Sequence, residues 1–223
     1  MNSAKLEKEE INISKYVDVL GRDFINDARQ PIYDGVIDIG SYLKSSPRIV
    51  WMLKEPYDGE ECTGGGWSLA DNIKESIRNQ KTTCNSFKMM AKIAYAVQNH
   101  IESYEDCIFP GENYDVFRAL NSIAIIDISK MPAKTVSGDV NKYYEYWKPI
   151  LYWQLHVYNP DVVIFGHTYK YFEEDLALVG LKKRYGKNTD YIINNRLYID
   201  AYHPGRKGEE YFSEIVNVIK ENA

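Results

Sequence analysis

The stretch Arg48-Ile49-Val50-Trp51-Met52-Leu53-Lys54-Glu55-Pro56-Tyr57-Asp58 decides the fold. Its apolar residues run without polar alternation and stop at a proline turn. A short continuous apolar run bounded by turn formers is the mark of a strand buried on both faces. Three further runs repeat it: Ser122-Ile123-Ala124-Ile125-Ile126-Asp127, Asp161-Val162-Val163-Ile164-Phe165-Gly166 and Arg196-Leu197-Tyr198-Ile199-Asp200-Ala201.

Segments of helical spacing lie between these runs. Residues 68–79 open with a serine cap followed by Asp71, close to a capping box. Residues 85–99 place Phe87, Met90, Ala91, Ala94 and Val97 on one face. Residues 141–158 carry Tyr144, Trp147, Ile150, Leu151, Leu155 and Tyr158, with Pro149 predicting a kink or a break into two helices. Residues 168–179 and 208–221 complete the set. The first 45 residues read as a helical extension with Ile11, Tyr16, Val17, Val19, Leu20 and Phe24 as its apolar positions. Strands alternating with helices predict right-handed βαβ units. The expected fold is α/β, a three-layer αβα sandwich around a central four-stranded, mostly parallel sheet.

The chain has 223 residues and a formal net charge of −5. The length favours one domain over residues 1–223. The acidic average disfavours strong non-specific nucleic-acid binding, so any basic face must be local. Cys62, Cys84 and Cys107 have no paired spacing, which argues against a disulfide framework and a structural zinc site. The unpaired cysteines make a reducing, cytoplasmic setting the expectation, and neither a signal peptide nor a membrane span is evident.

In an open α/β sheet, ligands bind outside the carboxyl ends of the strands. Those ends carry Glu55, Asp58, Asp127, His167 and His203. Carboxylates and a histidine in one crevice suit acid–base or charge-stabilising chemistry. Pro56 and Pro204 stiffen the turns that aim them, and Gly64 to Gly66 allow the backbone to approach a ligand closely.

Together, Lys54-Glu55-Pro56-Tyr57-Asp58, Gly66-Trp67-Ser68-Leu69, Asp127 and His203-Pro204-Gly205 resemble, in order and position, the strand-end motifs of the uracil-DNA glycosylase superfamily. The likeness spans roughly residues 48–208. It implies a DNA base-excision glycosylase that flips a damaged base and hydrolyses its N-glycosidic bond without a metal or other cofactor. Glu55 would then activate water and His203 would stabilise the leaving base. Trp67 would stack on the base, Tyr57 would shape the pocket floor and Asp127 would read the base edge. Asp58, Ser129, Lys130, Arg206 and Lys207 would form the pocket rim or contact phosphates.

The chain departs from the family pattern at Glu55, Asp127 and Gly205, where aspartate, asparagine and serine are usual. An ionised Asp127 only accepts hydrogen bonds, which disfavours uracil. Two other readings therefore stand beside the first. One is a catalytically weak or inactive nucleotide- or nucleic-acid-binding module. The other is a hydrolase of a small nucleoside-like N-glycoside. The expected partner is DNA with a damaged base or such a small ligand, bound by a monomer. Bland roles are weighed alongside: Trp67 as a core residue, Asp127 as a turn cap, His167 as a cap, His100 and His156 as helix residues, and Lys182-Lys183-Arg184 as a solvated basic turn.

Overall fold

The computed structural model describes residues 1–24, 29–58, 64–80, 84–107, 114–133, 139–178, 183–185, 188–193 and 195–222. In chain order these form α1 (Ser3–Phe24), β1 (Gly35–Val36), α2 (Ile39–Lys44), β2 (Ile49–Leu53), α3 (Leu69–Arg78) and α4 (Asn85–Asn99). There follow α5 (Tyr114–Arg118), a 3-10 turn (Ala119–Ser122), β3 (Ile123–Asp127), α6 (Val140–Tyr158), β4 (Val162–Gly166) and α7 (Tyr169–Phe172). The chain closes with β5 (Lys183–Tyr185), β6 (Asn188–Ile193), β7 (Arg196–Ala201) and α8 (Glu209–Asn222).

The four apolar runs form a parallel sheet in the order β3-β2-β4-β7. Side chains alternate across each strand. Ile49, Trp51 and Leu53 of β2 therefore join the core under α3, α4 and α8, while Val50 and Met52 join the core under α1 and α6. Each face buries its own apolar layer, which is why these strands read as unbroken hydrophobic runs. The fold is α/β, with a mixed, mostly parallel sheet flanked by helices.

The sheet is wider than the four strands expected. Antiparallel β1 pairs with β3 at one edge, giving five strands. The β5–β6 hairpin pairs antiparallel to β7 at the other edge. Lys183 and Arg184 thus belong to a strand rather than a basic turn; Lys182 lies outside the described residues.

Helix prediction succeeded where caps were present. Ser68 accepts from the Asp71 N–H at 3.1 Å, and α3 begins at the next residue. Residues 141–158 form one helix rather than two. Pro149 sits on an exposed position of this helix. Asp139 caps that helix by accepting from the Lys142 N–H, and Asn159 ends it in a left-handed conformation. The segment after β4 is helical only over α7, and Ala177 turns at φ 53°.

The N-terminal extension differs most. Leu6, Ile13, Val17 and Gly21 form the buried stripe of α1, whereas Ile11, Tyr16 and Val19 are exposed. The helix does not reach residue 45. Beyond the undescribed residues 25–28 the chain runs extended from Arg29 to Asp34 before β1 and α2.

Candidate functional site

The carboxyl ends of the parallel strands are laced together by backbone. Beyond β2 and β3 the two chains continue side by side. Ile128 N–H donates to Leu53 O at 2.9 Å, Ser129 N–H to Lys54 O at 2.8 Å and Ala133 N–H to Pro56 O at 2.9 Å. The extended segment before β1 braces them: Ile32 N–H donates to Lys130 O at 2.7 Å and Tyr33 N–H to Trp67 O at 3.0 Å. On the other side, Thr168 Oγ1 donates to Met52 O at 2.7 Å and His167 N–H to Ala201 O at 2.7 Å. Gly166 lets the tips of β2 and β7 close over β4. A Cβ there would lie 2.5 Å from Leu53 Cδ2 and 3.4 Å from Pro204 Cδ.

The β2–β3 half of this edge is acidic and buried. Asp127 ends β3 in register with Leu53 and is 3% exposed. Both carboxylate oxygens of Glu55 are buried as well. Burial first, then the charges of Asp34 and Glu55, push the Asp127 carboxyl well above the usual carboxylate range, against an opposing pull from Lys130.

A buried ion pair underlies these two acids. Lys130 is 0% exposed. Its Nζ donates to Asp34 Oδ1 at 2.8 Å, Asp34 Oδ2 at 2.6 Å, Asp127 O at 2.8 Å and Gln154 Oε1 at 2.9 Å. Asp34 also accepts from the Asp127 main-chain N–H at 2.6 Å and from Gln154 Nε2 at 2.8 Å. Glu10, from α1, accepts from Val36 N–H at 3.2 Å and is raised to about 7, chiefly by burial. Both polar atoms of the Asp127 backbone are thus fixed by one lysine–aspartate pair.

The β4–β7 half is exposed and cationic. His203 Nδ1 accepts from Gly205 N–H at 3.1 Å, so the neutral imidazole carries its proton on Nε2. Desolvation, Lys54, His167 and Lys207 all push its pKa below the usual imidazole value. His167 is lowered by desolvation, Lys54, Lys170 and Lys207. Its ring stacks on Tyr202, centroids 6.3 Å apart at 15°. Ser86, at the start of α4, stands beside this turn: a Cβ on Gly205 would lie 3.1 Å from both Ser86 Oγ and His203 Nδ1.

Several expected roles change with these positions. Lys130 and Ser129 were expected at the rim, but both are buried, and Ser129 Oγ accepts from Met131 N–H at 3.1 Å. Tyr57 was expected on the pocket floor, yet it is 53% exposed, because Pro56 takes the buried position in this turn. Asp58, half-buried, clamps the loop that follows it. It accepts from Gly65 N–H at 2.8 Å and from Trp67 Nε1 at 3.0 Å. Trp67 itself is half-buried against the core under α3 and α4. Gly65, at φ 95°, allows the close passage of the Gln30 main chain. Arg206 is exposed at φ 57°, and Lys207 is half-buried.

Sequence reading missed Asp34, Gln154 and Glu10, which sit in segments without strand-end position or motif. It also missed Lys54 and Tyr202 as functional candidates, although each adjoins a residue that was chosen.

No group of three or more histidine, cysteine or acidic side chains suited to a metal occurs among the described residues. No described helix is long and apolar enough to cross a membrane. Residues 59–63 and 134–138 flank the site in sequence and lie outside the described residues. Cys62 falls among them, while Cys84 and Cys107 form no disulfide among the described residues. No protein-family model and no curated protein sequence matches this chain.

Proposed function

We propose that the chain is a base-excising N-glycosylase of uracil-DNA glycosylase-like αβα architecture, acting on a deaminated base in DNA. The observation that carries this reading is the juxtaposition across Gly166. Two buried acids, Glu55 after β2 and Asp127 at the end of β3, lie on one side of β4 in the sheet, and His203, after β7 and accepting at Nδ1, lies on the other. Hydrolysis of the N-glycosidic bond needs both. As the C1′–N bond breaks, its electron pair leaves with the base. His203 Nε2–H donates to the base carbonyl oxygen on which that charge gathers. Water adds to C1′ and passes its proton to the Glu55 carboxylate, giving free base and an abasic sugar.

Asp127 fits this scheme better buried than it does as an ionised side chain. A protonated carboxyl offers one O–H donor and one carbonyl acceptor, the pair that an asparagine amide offers. Burial, Asp34 and Glu55 push its pKa up and so favour this neutral form, which suits an imide edge such as that of uracil. Trp67, steadied by Asp58, supplies an aromatic face for the base. The test is release of free base from oligonucleotides carrying uracil, hypoxanthine or xanthine. Release of at least one of them, lowered about 100-fold or more by His203→Ala, is expected. If all three stay intact, the reading fails.

A second reading, a nucleic-acid-binding module without turnover, is favoured by one observation. The exposed, solvent-accessible half of the edge carries cations and aromatic rings rather than the acids. Binding of an intact damaged-base oligonucleotide with no release would select it.

A further inference from the structure

The β4–β7 half of the edge holds more than His203 needs. Tyr202 is 48% exposed, and its ring lies nearly parallel to that of His167. Lys207 Nζ stands 4.6 Å from the Tyr202 ring centroid and 5.9 Å from that of Tyr211. The platform is held from behind. Tyr211 Oη donates to Tyr202 O at 2.6 Å, while His167 N–H donates to Phe165 O at 2.9 Å and Ala201 O at 2.7 Å. His167 adopts φ 67°, a left-handed conformation costly for a residue with a Cβ. An exposed aromatic pair kept in place by a strained, doubly bonded backbone buries little apolar surface for the fold.

The surroundings are positively charged. Lys54, Lys170 and Lys207 act on His167, and Lys54 and Lys207 act on His203 as well. Arg206 is exposed on the same turn. The whole chain carries a net charge of −5, so this is a local concentration of cations rather than a sample of the average. Stacked, exposed rings interleaved with lysines are the chemistry that holds single-stranded nucleic acid: bases stack on the rings and phosphates meet the cations.

We propose that His167 and Tyr202, with Lys54, Lys170 and Lys207, form a track for the unpaired strand that flanks the base entering the site. The inference deepens the glycosylase reading and rests on it for the position of the pocket; strand binding itself requires no turnover. A fluorescein-labelled single-stranded deoxythymidine 12-mer, free of damaged bases, is titrated with the full chain and read by anisotropy. The strand is expected to bind, and a duplex of the same length to bind more weakly. Tyr202→Ala should weaken the strand about 5-fold or more, and Tyr202→Phe should restore it. Lys54→Ala and Lys207→Ala should each reduce the slope of log affinity against log salt by about 0.7.

Absence of binding at low salt would overturn the track. So would binding that heparin displaces equally well and that Tyr202→Ala leaves unchanged, because that pattern is charge alone. Base release is measured in parallel. Strand binding without release leaves the track standing and removes the glycosylase reading; release without Tyr202-dependent binding does the reverse.

Discussion

The two halves of the strand edge solve opposite physical problems. At the tips of β2 and β3, acids are withdrawn from water and controlled by a buried lysine. At the tips of β4 and β7, histidines, tyrosine and lysines stay in water and gather positive charge. Burial raises the energy of a carboxylate and so shifts Asp127 toward its protonated form, whereas exposure leaves the cations in water. In the proposed scheme the buried half supplies the water-activating acid, and the exposed half supplies the His203 donor together with the cations and rings that meet the strand. The two halves meet at the tip of β4, where a Cβ on Gly166 would lie 2.5 Å from Leu53 Cδ2 and 3.4 Å from Pro204 Cδ.

The largest effect that can break this contrast lies under the acidic half. Lys130→Met removes the only cation bonded to Asp34 among the described residues and leaves a carboxylate whose side chain is 2% exposed without its partner. Loss of one member of such a pair costs about 3–5 kcal/mol, to be read as a fall in the urea midpoint at constant slope. A loss under about 1 kcal/mol would mean that the network does not control the acids.

Next in size is the pH dependence from Glu10. Its carboxyl rises from the ordinary 4.5 to about 7 in the fold. A raised acid contributes stability that is fully present below about pH 4.5 and is lost as pH rises through about 7. Wild type should therefore lose roughly 3 kcal/mol relative to Glu10→Gln between pH 4.5 and pH 8. Denaturation midpoints of both chains across that range give the difference directly. The same sign applies to Asp127, whose raised acid also favours the fold at low pH.

Smallest is the clamp on the stacking face. Asp58→Ala removes the partners of the Trp67 indole N–H and of Gly65 N–H. About 1–2 kcal/mol of stability should go with them, checked by thermal or urea unfolding. Tryptophan emission should shift to the red as the ring gains solvent.

Much of the sheet was legible because β2, β3, β4 and β7 are buried on both faces and left a continuous apolar signature. Their ends therefore pointed to Glu55, Asp127, His167 and His203. β1 escaped notice because two residues carry no period, and β5 and β6 because Lys183, Asn188 and Asp190 interrupt any continuous apolar run. The roles of Lys130 and Asp127 were illegible for another reason. Whether a lysine faces solvent or a buried carboxylate depends on Asp34, 96 residues away, and no local pattern encodes that pairing. The upward pKa shift of Asp127 depends in turn on that burial, so its hydrogen-bonding character emerges only in three dimensions.

The central claim is that the buried acids carry the chemistry while the exposed half carries the strand. It is tested most directly by Glu55→Gln, comparing the single-turnover rate of base release with the affinity for the same oligonucleotide. The account predicts release lowered about 100-fold or more, with affinity within about 3-fold of wild type. Undiminished release, or affinity and release falling together, would contradict it.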